Sequence, residues 1–263
     1  MPRAKYLISW IGGKRLLREK ISRHIPQDIK IYVEPFGGAG WVLFYKDRWA
    51  RSEIYNDLDG RLVNLFLVAK YHPEELVREM AFLLTSREMF TRILKREGMT
   101  DIQRAARFLF LIRKSFGAGG ENFGTSVNGE SSAGRSTMNI IPQIRDIHKR
   151  LDKVLIENQD FKRILQRYDS QATFFYCDPP YSKGAGYQVT STAAFDHQGL
   201  RKMLGNLRGR FLLSYDDSPV IRRLYKGFPM VEVSRQKGIN GKNPNGRIYR
   251  ELLIANYRLI KQP

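Results

Sequence analysis

The stretch Phe174-Phe175-Tyr176-Cys177-Asp178-Pro179-Pro180-Tyr181 runs from apolar residues into a carboxylate, two prolines and a tyrosine. The apolar run fits a buried strand. Asp178 then stands at its C-terminal edge, where open α/β sheets hold their ligands. A residue before proline is kept extended, so the backbone here projects instead of coiling into a helix. The Asp178 carboxylate and the Pro179 carbonyl form two rigid acceptors side by side. Two acceptors suit an exocyclic amino group, which carries two donor hydrogens. Tyr181 offers a flat face to a base, a contact worth about 1–3 kcal/mol. Together these residues describe a pocket for an aminated nucleobase. A plain strand end with a Pro-Pro turn is the alternative.

A second group precedes it. Ile29-Lys30-Ile31-Tyr32-Val33 is β-branched and aromatic, and it ends in Glu34-Pro35-Phe36-Gly37-Gly38-Ala39-Gly40. An apolar helix pattern is expected from Trp41. Strand, glycine loop and helix make the first half of a nucleotide-binding unit. Glycines let a ligand approach the backbone, and a helix start favours negative charge. The loop lacks the Lys-Ser/Thr pair of a P-loop. The next strand, Glu53-Ile54-Tyr55-Asn56, ends at Asp57. Asp57 either accepts from ribose hydroxyls or caps the following helix.

The elements that must position these groups follow an α/β order. A glycine turn at Trp10-Ile11-Gly12-Gly13-Lys14 leads into a helix over about 14–24. Residues 60 to 115 read as helices, with Pro73 at a first turn and Glu74 and Glu75 beside its positive end. Residues 116–137 are rich in glycine and serine and read as a mobile loop. From Ile140 the α/β pattern resumes. A helix reaches Leu151, the strand Val154-Leu155-Ile156 follows, and Asp160-Phe161 opens a helix to Tyr168. Later come helices near 196–207 and 218–226, a strand from Arg210 to Tyr215, and final strands near 229–235 and 249–257. The expected fold class is α/β: a Rossmann-like sheet with helices on both faces and a helical insertion. The catalytic part would span 1–59 and 138–263, and the insertion 60–137.

Bulk composition points to a polyanion. Of 263 residues, 45 are Lys or Arg and 26 are Asp or Glu, giving a formal charge of +19. Such an excess gains affinity for phosphates by counterion release. One cysteine, Cys177, excludes intramolecular disulfides and thiolate clusters, and the four histidines lack ligand spacing, so no metal is expected. No apolar stretch is long enough to span a membrane, and the chain reads as cytoplasmic.

These motifs carry a family resemblance. Asp178-Pro179-Pro180-Tyr181 after an apolar strand resembles the catalytic tetrad of S-adenosylmethionine-dependent DNA amino methyltransferases. Phe36-Gly37-Gly38-Ala39-Gly40 is similar to their FxGxG loop, and Trp10-Ile11-Gly12-Gly13-Lys14 to the W-x-G-G-K motif of the Dam-type (α class, D12) adenine-N6 enzymes. Asn56-Asp57 and Asp160-Phe161 resemble their cofactor-ribose and cofactor-adenine positions. The motif order is that of the α class, and the resemblance covers nearly the whole chain.

The resemblance implies site-specific methylation of adenine N6 in double-stranded DNA, with S-adenosylmethionine as methyl donor and no metal. A flipped-out adenine would give its N6 hydrogens to Asp178 and the Pro179 carbonyl, freeing the N6 lone pair for the sulfonium methyl. Asp178, Pro179, Pro180 and Tyr181 are the implied catalytic residues. Trp10, Lys14, Glu34, Pro35, Phe36, Gly38, Gly40, Asp57, Asp160, Phe161 and Asp178 are the implied cofactor residues. On local sequence Glu34 also fits a turn cap, Phe161 a core position and Lys14 a phosphate contact. Candidate DNA contacts are Arg113, Lys114, Asn122, Arg135, Lys183, Lys237, Lys242 and Arg247, with a solvated surface as the alternative. GATC-modifying members carry an Arg/Asn/Phe-rich stretch that residues 112–124 do not match, so GATC is not implied as the target. The glycines there suggest a loop that orders only on DNA. A bacterial or phage monomer near the nucleoid is expected, with a cognate restriction endonuclease as a further partner to test for. Rival readings are methylation of RNA or cytosine N4, and a non-catalytic DNA-binding module.

Overall fold

Alternation along the central strands decides the layering. In the computed structural model, which describes residues 6–8, 10, 13–96, 98–125, 138–181, 195–236 and 248–260, Phe174 and Tyr176 pack on one face of a sheet and Phe175 and Cys177 on the other. This period of two, with both faces apolar, is what a fully covered sheet requires.

In chain order the elements are α1 (Arg18–Ser22), β1 (Ile31–Glu34), β2 (Ser52–Asn56), α2 (Gly60–Tyr71), α3 (Pro73–Ala81), α4 (Arg87–Lys95) and α5 (Asp101–Lys114), then α6 (Ile141–Leu151), β3 (Val154–Glu157), α7 (Phe161–Tyr168), β4 (Thr173–Cys177), α8 (His197–Gly205), β5 (Arg210–Asp216), α9 (Pro219–Leu224), β6 (Met230–Gln236) and β7 (Ile248–Ala255). The strand order is β3-β2-β1-β4-β5-β7-β6. β7 runs antiparallel to both of its neighbours, and the other pairings are parallel. β1 and β4 are adjacent, yet their chains leave toward opposite sides of the sheet. Such a switch point opens a crevice at the carboxyl ends of the strands.

α2, α5 and α6 contribute to the core on the face that holds Tyr32, Phe174 and Tyr176. α7, α8 and α9 cover the face that holds Val33, Phe175 and Leu213. The helix starts follow capping chemistry. Ser86 accepts from the Met89 amide and Thr100 from the Gln103 amide, and Pro73 occupies a first turn with Glu74 and Glu75. α2 packs on α5, α6 and β3, so the helical region is continuous with the sheet layer.

One expected element is different. The helix from Trp41 is a single 3-10 turn, Leu43–Tyr45, after which Lys46 is extended. Arg150 of α6 explains the stop. Its guanidinium donates to the Leu43 and Lys46 carbonyls, both at 2.9 Å, and those acceptors are thereby lost to a continuing helix. At the N-terminus the helix is also shorter than expected, a turn at 15–17 followed by α1.

Candidate active site

Three strand ends are stitched together at the crevice. Asn56, fully buried at the end of β2, donates to the Pro35 carbonyl after β1 and to the Gln159 carbonyl after β3. Its own Oδ1 accepts from the Gln159 amide at 2.8 Å. The glycine loop turns above it. Gly38 and Gly40 take φ of +50° and +67°, which side chains with a Cβ rarely adopt. Gly37 donates to the Asn56 carbonyl at 2.7 Å, and the Tyr55 hydroxyl donates to the Gly38 carbonyl at 2.7 Å.

The local ambiguity at Asp57 resolves in favour of a loop-facing carboxylate. The N-cap of α2 is Asp59, which accepts from the Arg61 amide. Asp57 accepts from the Gly38 amide through Oδ2 and from the Asp59 amide through Oδ1, both at 2.8 Å. Burial pushes its carboxyl up to about 6 against these hydrogen bonds. Each oxygen keeps a lone pair for a hydroxyl.

Glu34 lies beneath the loop at 1% exposure. Tyr32 donates to its Oε1 at 2.6 Å. Burial, with the nearby Asp178 charge adding to it, pushes the Glu34 carboxyl up to about 8. The folded value thus exceeds the unfolded one near 4.5. The folded state holds the extra proton, so this stability is fully present below pH 4.5 and is lost as pH rises toward 8. Glu34→Gln removes that titration. The melting temperature of the variant is therefore expected to gain on the parent as pH goes from 5 to 9; a gap that stays constant across this range would refute the assignment.

Phe36, Phe161 and Phe195 form an aromatic group beside the loop, with ring centroids 5.2–5.7 Å apart. Phe161 is buried and packs in the core, as its core reading expects. Asp160 is exposed and caps α7 by accepting from the Lys162 amide. Trp10 packs against Phe108 of α5, and its ring lies near Gly38. It therefore joins the N-terminal turn to the helical region.

Asp178 stands just past β4, 20% exposed, and three donors converge on its Oδ1. These are Lys14 Nζ at 2.7 Å, Ser214 Oγ at 2.9 Å and Tyr181 Oη at 3.2 Å. Lys14 is 4% exposed, so it is turned into the site and away from phosphate. Its ammonium lies 4.7 Å from the Tyr181 ring centroid and 3.6 Å from Glu251 Oε2. Tyr181 stacks on Tyr215 at 5.5 Å and reaches Glu251 Oε2 at 3.0 Å. Sequence reading missed Ser214, Tyr215 and Glu251. Ser214 stands out as a lone polar residue after the apolar run Phe211-Leu212-Leu213, whereas Glu251 follows Arg250 and carries no such mark.

The basic candidates fare unevenly. Arg113 is half-buried and Asn122 is exposed. Lys114 is buried at 1%, and desolvation lowers its pKa, so a phosphate contact is closed to it here. The helical spacing that buries Phe110 buries Lys114 one turn later. Residues 115–124 carry hydrogen bonds of their own: the Phe116 amide donates to the Asn122 carbonyl, Gly124 to the Lys114 carbonyl, and Gly120 to Ser115 Oγ. Arg135, Lys183, Lys237, Lys242 and Arg247 lie outside the described residues. Among the described residues no helix is long and apolar enough to cross a membrane, and no group of three or more His, Cys, Asp or Glu side chains could hold a metal.

A glycine loop after β1, a carboxylate after β2 and Asp-Pro-Pro-Tyr after β4 are set around one crevice. Relatives match the chain over nearly its whole length. A type II methyltransferase of Lactococcus lactis subsp. cremoris is 27% identical, covering 94% of each chain. One of Methanocaldococcus jannaschii is 27% identical over 96% of this chain and 99% of its own. The DNA adenine methylase of Haemophilus influenzae is 24% identical over 97% and 94%. RNA, cytosine and non-catalytic readings find no such support. The family model for the D12 class N6 adenine-specific DNA methyltransferases matches residues 10–239, nearly the full chain. The chain belongs to that family, and it is a DNA adenine-N6 methyltransferase.

Proposed function

We propose that the crevice at the β1–β4 switch point takes S-adenosylmethionine and one flipped-out adenine of double-stranded DNA. The observation that carries this is the placement of Asp178 past β4, beside the glycine loop past β1. The donor set fits the cofactor. Asp57 is a free-facing acceptor for ribose hydroxyls, Phe36 and Phe161 are flat walls for an adenine, and the bare loop from Gly37 to Gly40 admits close backbone approach. Trp10, Glu34 and Pro35 shape that loop from behind. Asp160 serves through its cap of α7. When bound, S-adenosylmethionine supplies an electrophilic methyl group.

The chain's own residues supply position and electrostatics. Asp178 and the Pro179 carbonyl accept the two N6 hydrogens and raise electron density on the nitrogen. Pro180 keeps the turn rigid. Tyr181 provides the stacking face for the base, and Lys14 holds Asp178 Oδ1. Holding both reactants aligned in a dry crevice supplies much of the rate without a metal. The helical region 60–137 is the proposed target reader, with Arg113 and Asn122 as its contacts among the described candidates. Arg135, Lys183, Lys237, Lys242 and Arg247 are proposed phosphate or base contacts on the strength of charge alone. A cytoplasmic monomer, working alone or beside a restriction endonuclease, follows from the same reading.

The test is modification-sensitive long-read sequencing of DNA from a methylation-free host that expresses the chain. N6-methyladenine in one recurring motif is the expected result. DNA without modified adenine, from folded protein that binds S-adenosylmethionine, would refute the proposed substrate.

A further inference from the structure

Glu251 is a carboxylate only 4% exposed, placed on β7 opposite Asp216 of β5. A charge at that depth costs free energy unless neighbouring groups compensate it. Its Oε2 lies 3.0 Å from the Tyr181 hydroxyl and 3.6 Å from the Lys14 ammonium. The same hydroxyl and ammonium also reach Asp178 Oδ1. A tyrosine hydroxyl has one proton, so Glu251 and Asp178 compete for it. They share Lys14 in the same way. Asp178 Oδ2, by contrast, has no hydrogen-bond partner among the described residues. The carboxylate is thus divided: Oδ1 is held by Lys14, Ser214 and Tyr181, and Oδ2 is left to a ligand.

We infer that Glu251 is a positioning residue of the transfer: it draws the Tyr181 proton and part of the Lys14 charge away from Asp178, so that Asp178 stays a strong acceptor with Oδ2 turned to the adenine amino group. This rests on the reading of Asp178 as acceptor for N6. The role of each neighbour then follows. Ser214, on β5, fixes the carboxylate plane with a neutral hydrogen bond. Lys14 reaches both carboxylates with one ammonium group. If Glu251 is neutral, the ammonium and the hydroxyl proton both fall to Asp178. Its acceptor strength drops without any loss of packing.

Glu251→Gln keeps the shape and removes the charge. On an oligonucleotide bearing the mapped motif, its single-turnover methylation rate is expected to fall about 10- to 100-fold, the worth of one charged hydrogen bond. Affinity for S-adenosylmethionine and the fluorescence of 2-aminopurine at the target position, which reports the flipped base, should stay at parental levels. In the Tyr181→Phe background the further loss on Glu251→Gln should shrink, because the shared proton is gone. Ser214→Ala gives a second reading that adds no buried polar group; its rate should drop roughly 3- to 10-fold. A parental rate in Glu251→Gln overturns the inference. So does a rate loss matched by lost cofactor affinity and lost base flipping, which would mark a merely structural role. A parent chain that methylates no adenine would instead defeat the underlying reading of the site.

Discussion

Asp178→Ala is expected to lower single-turnover methylation of DNA by about 10²- to 10³-fold or more, while DNA affinity stays near that of the parent. The size follows from removing a preorganised charged acceptor from a low-dielectric crevice, where single groups of this kind carry such factors. The geometry makes Asp178 hard to replace. Lys14, Ser214 and Tyr181 all reach its Oδ1, so removing the carboxylate leaves three donors without this acceptor. Glu251 and Glu34, the nearest alternatives, are engaged by Tyr181 and Tyr32. Asp178→Asn separates charge from shape. It keeps one carbonyl acceptor but adds an NH2 group that faces donors, so a loss close to that of alanine is expected. Transfer by Asp178→Ala at the parental rate, measured with labelled methyl donor and unmethylated DNA, would refute the assignment.

How much of this was readable in the chain depends on whether the cause was local. The loop past β1 and the tetrad past β4 are local: apolar strand, glycines or prolines, and a polar residue at the edge, all contiguous. Asp57 was half-readable, because two acids two residues apart compete for one helix cap, and the structure gives the cap to Asp59. The failures are non-local. The helix expected from Trp41 has a good apolar pattern, yet Arg150, more than one hundred residues later, takes the carbonyls it needs. Ser214 and Glu251 enter the site through the pairing of β5 with β7, a register that no local signal sets. Lys114 shows the reverse error. Its charge drew it into the DNA set, although the 3.6-residue period of α5 already put it on the face of Phe110.

Arg150→Ala is expected to destabilise the fold by about 3–5 kcal/mol, the usual consequence of breaking a buried ion pair from one side. At roughly 2–4 °C per kcal/mol for a chain of this size, the melting temperature falls by about 6–20 °C. The pair is bidentate: Arg150 donates to Glu53 Oε2 at 2.8 Å and to Oε1 at 2.7 Å, and both side chains are 3% exposed. Glu53 Oε1 also accepts from the Trp49 amide. Removing the arginine therefore strands a buried carboxylate and leaves the Leu43 and Lys46 carbonyls without their donor. Glu53→Leu strands the guanidinium instead and should cost a similar amount. The double variant Arg150→Met with Glu53→Leu buries no unmatched charge, so its loss should be well below the sum of the Arg150→Met and Glu53→Leu losses. Some loss must persist, because the two carbonyls and the Trp49 amide still lack their partners. Additive losses in denaturant titrations would show that the pair does not act as a unit. The same cluster tethers the turn that follows the glycine loop. Arg150→Ala should thus weaken S-adenosylmethionine binding even at temperatures where the protein remains folded, whereas a variant destabilised on the far face of the sheet, such as Leu204→Ala on α8, should not.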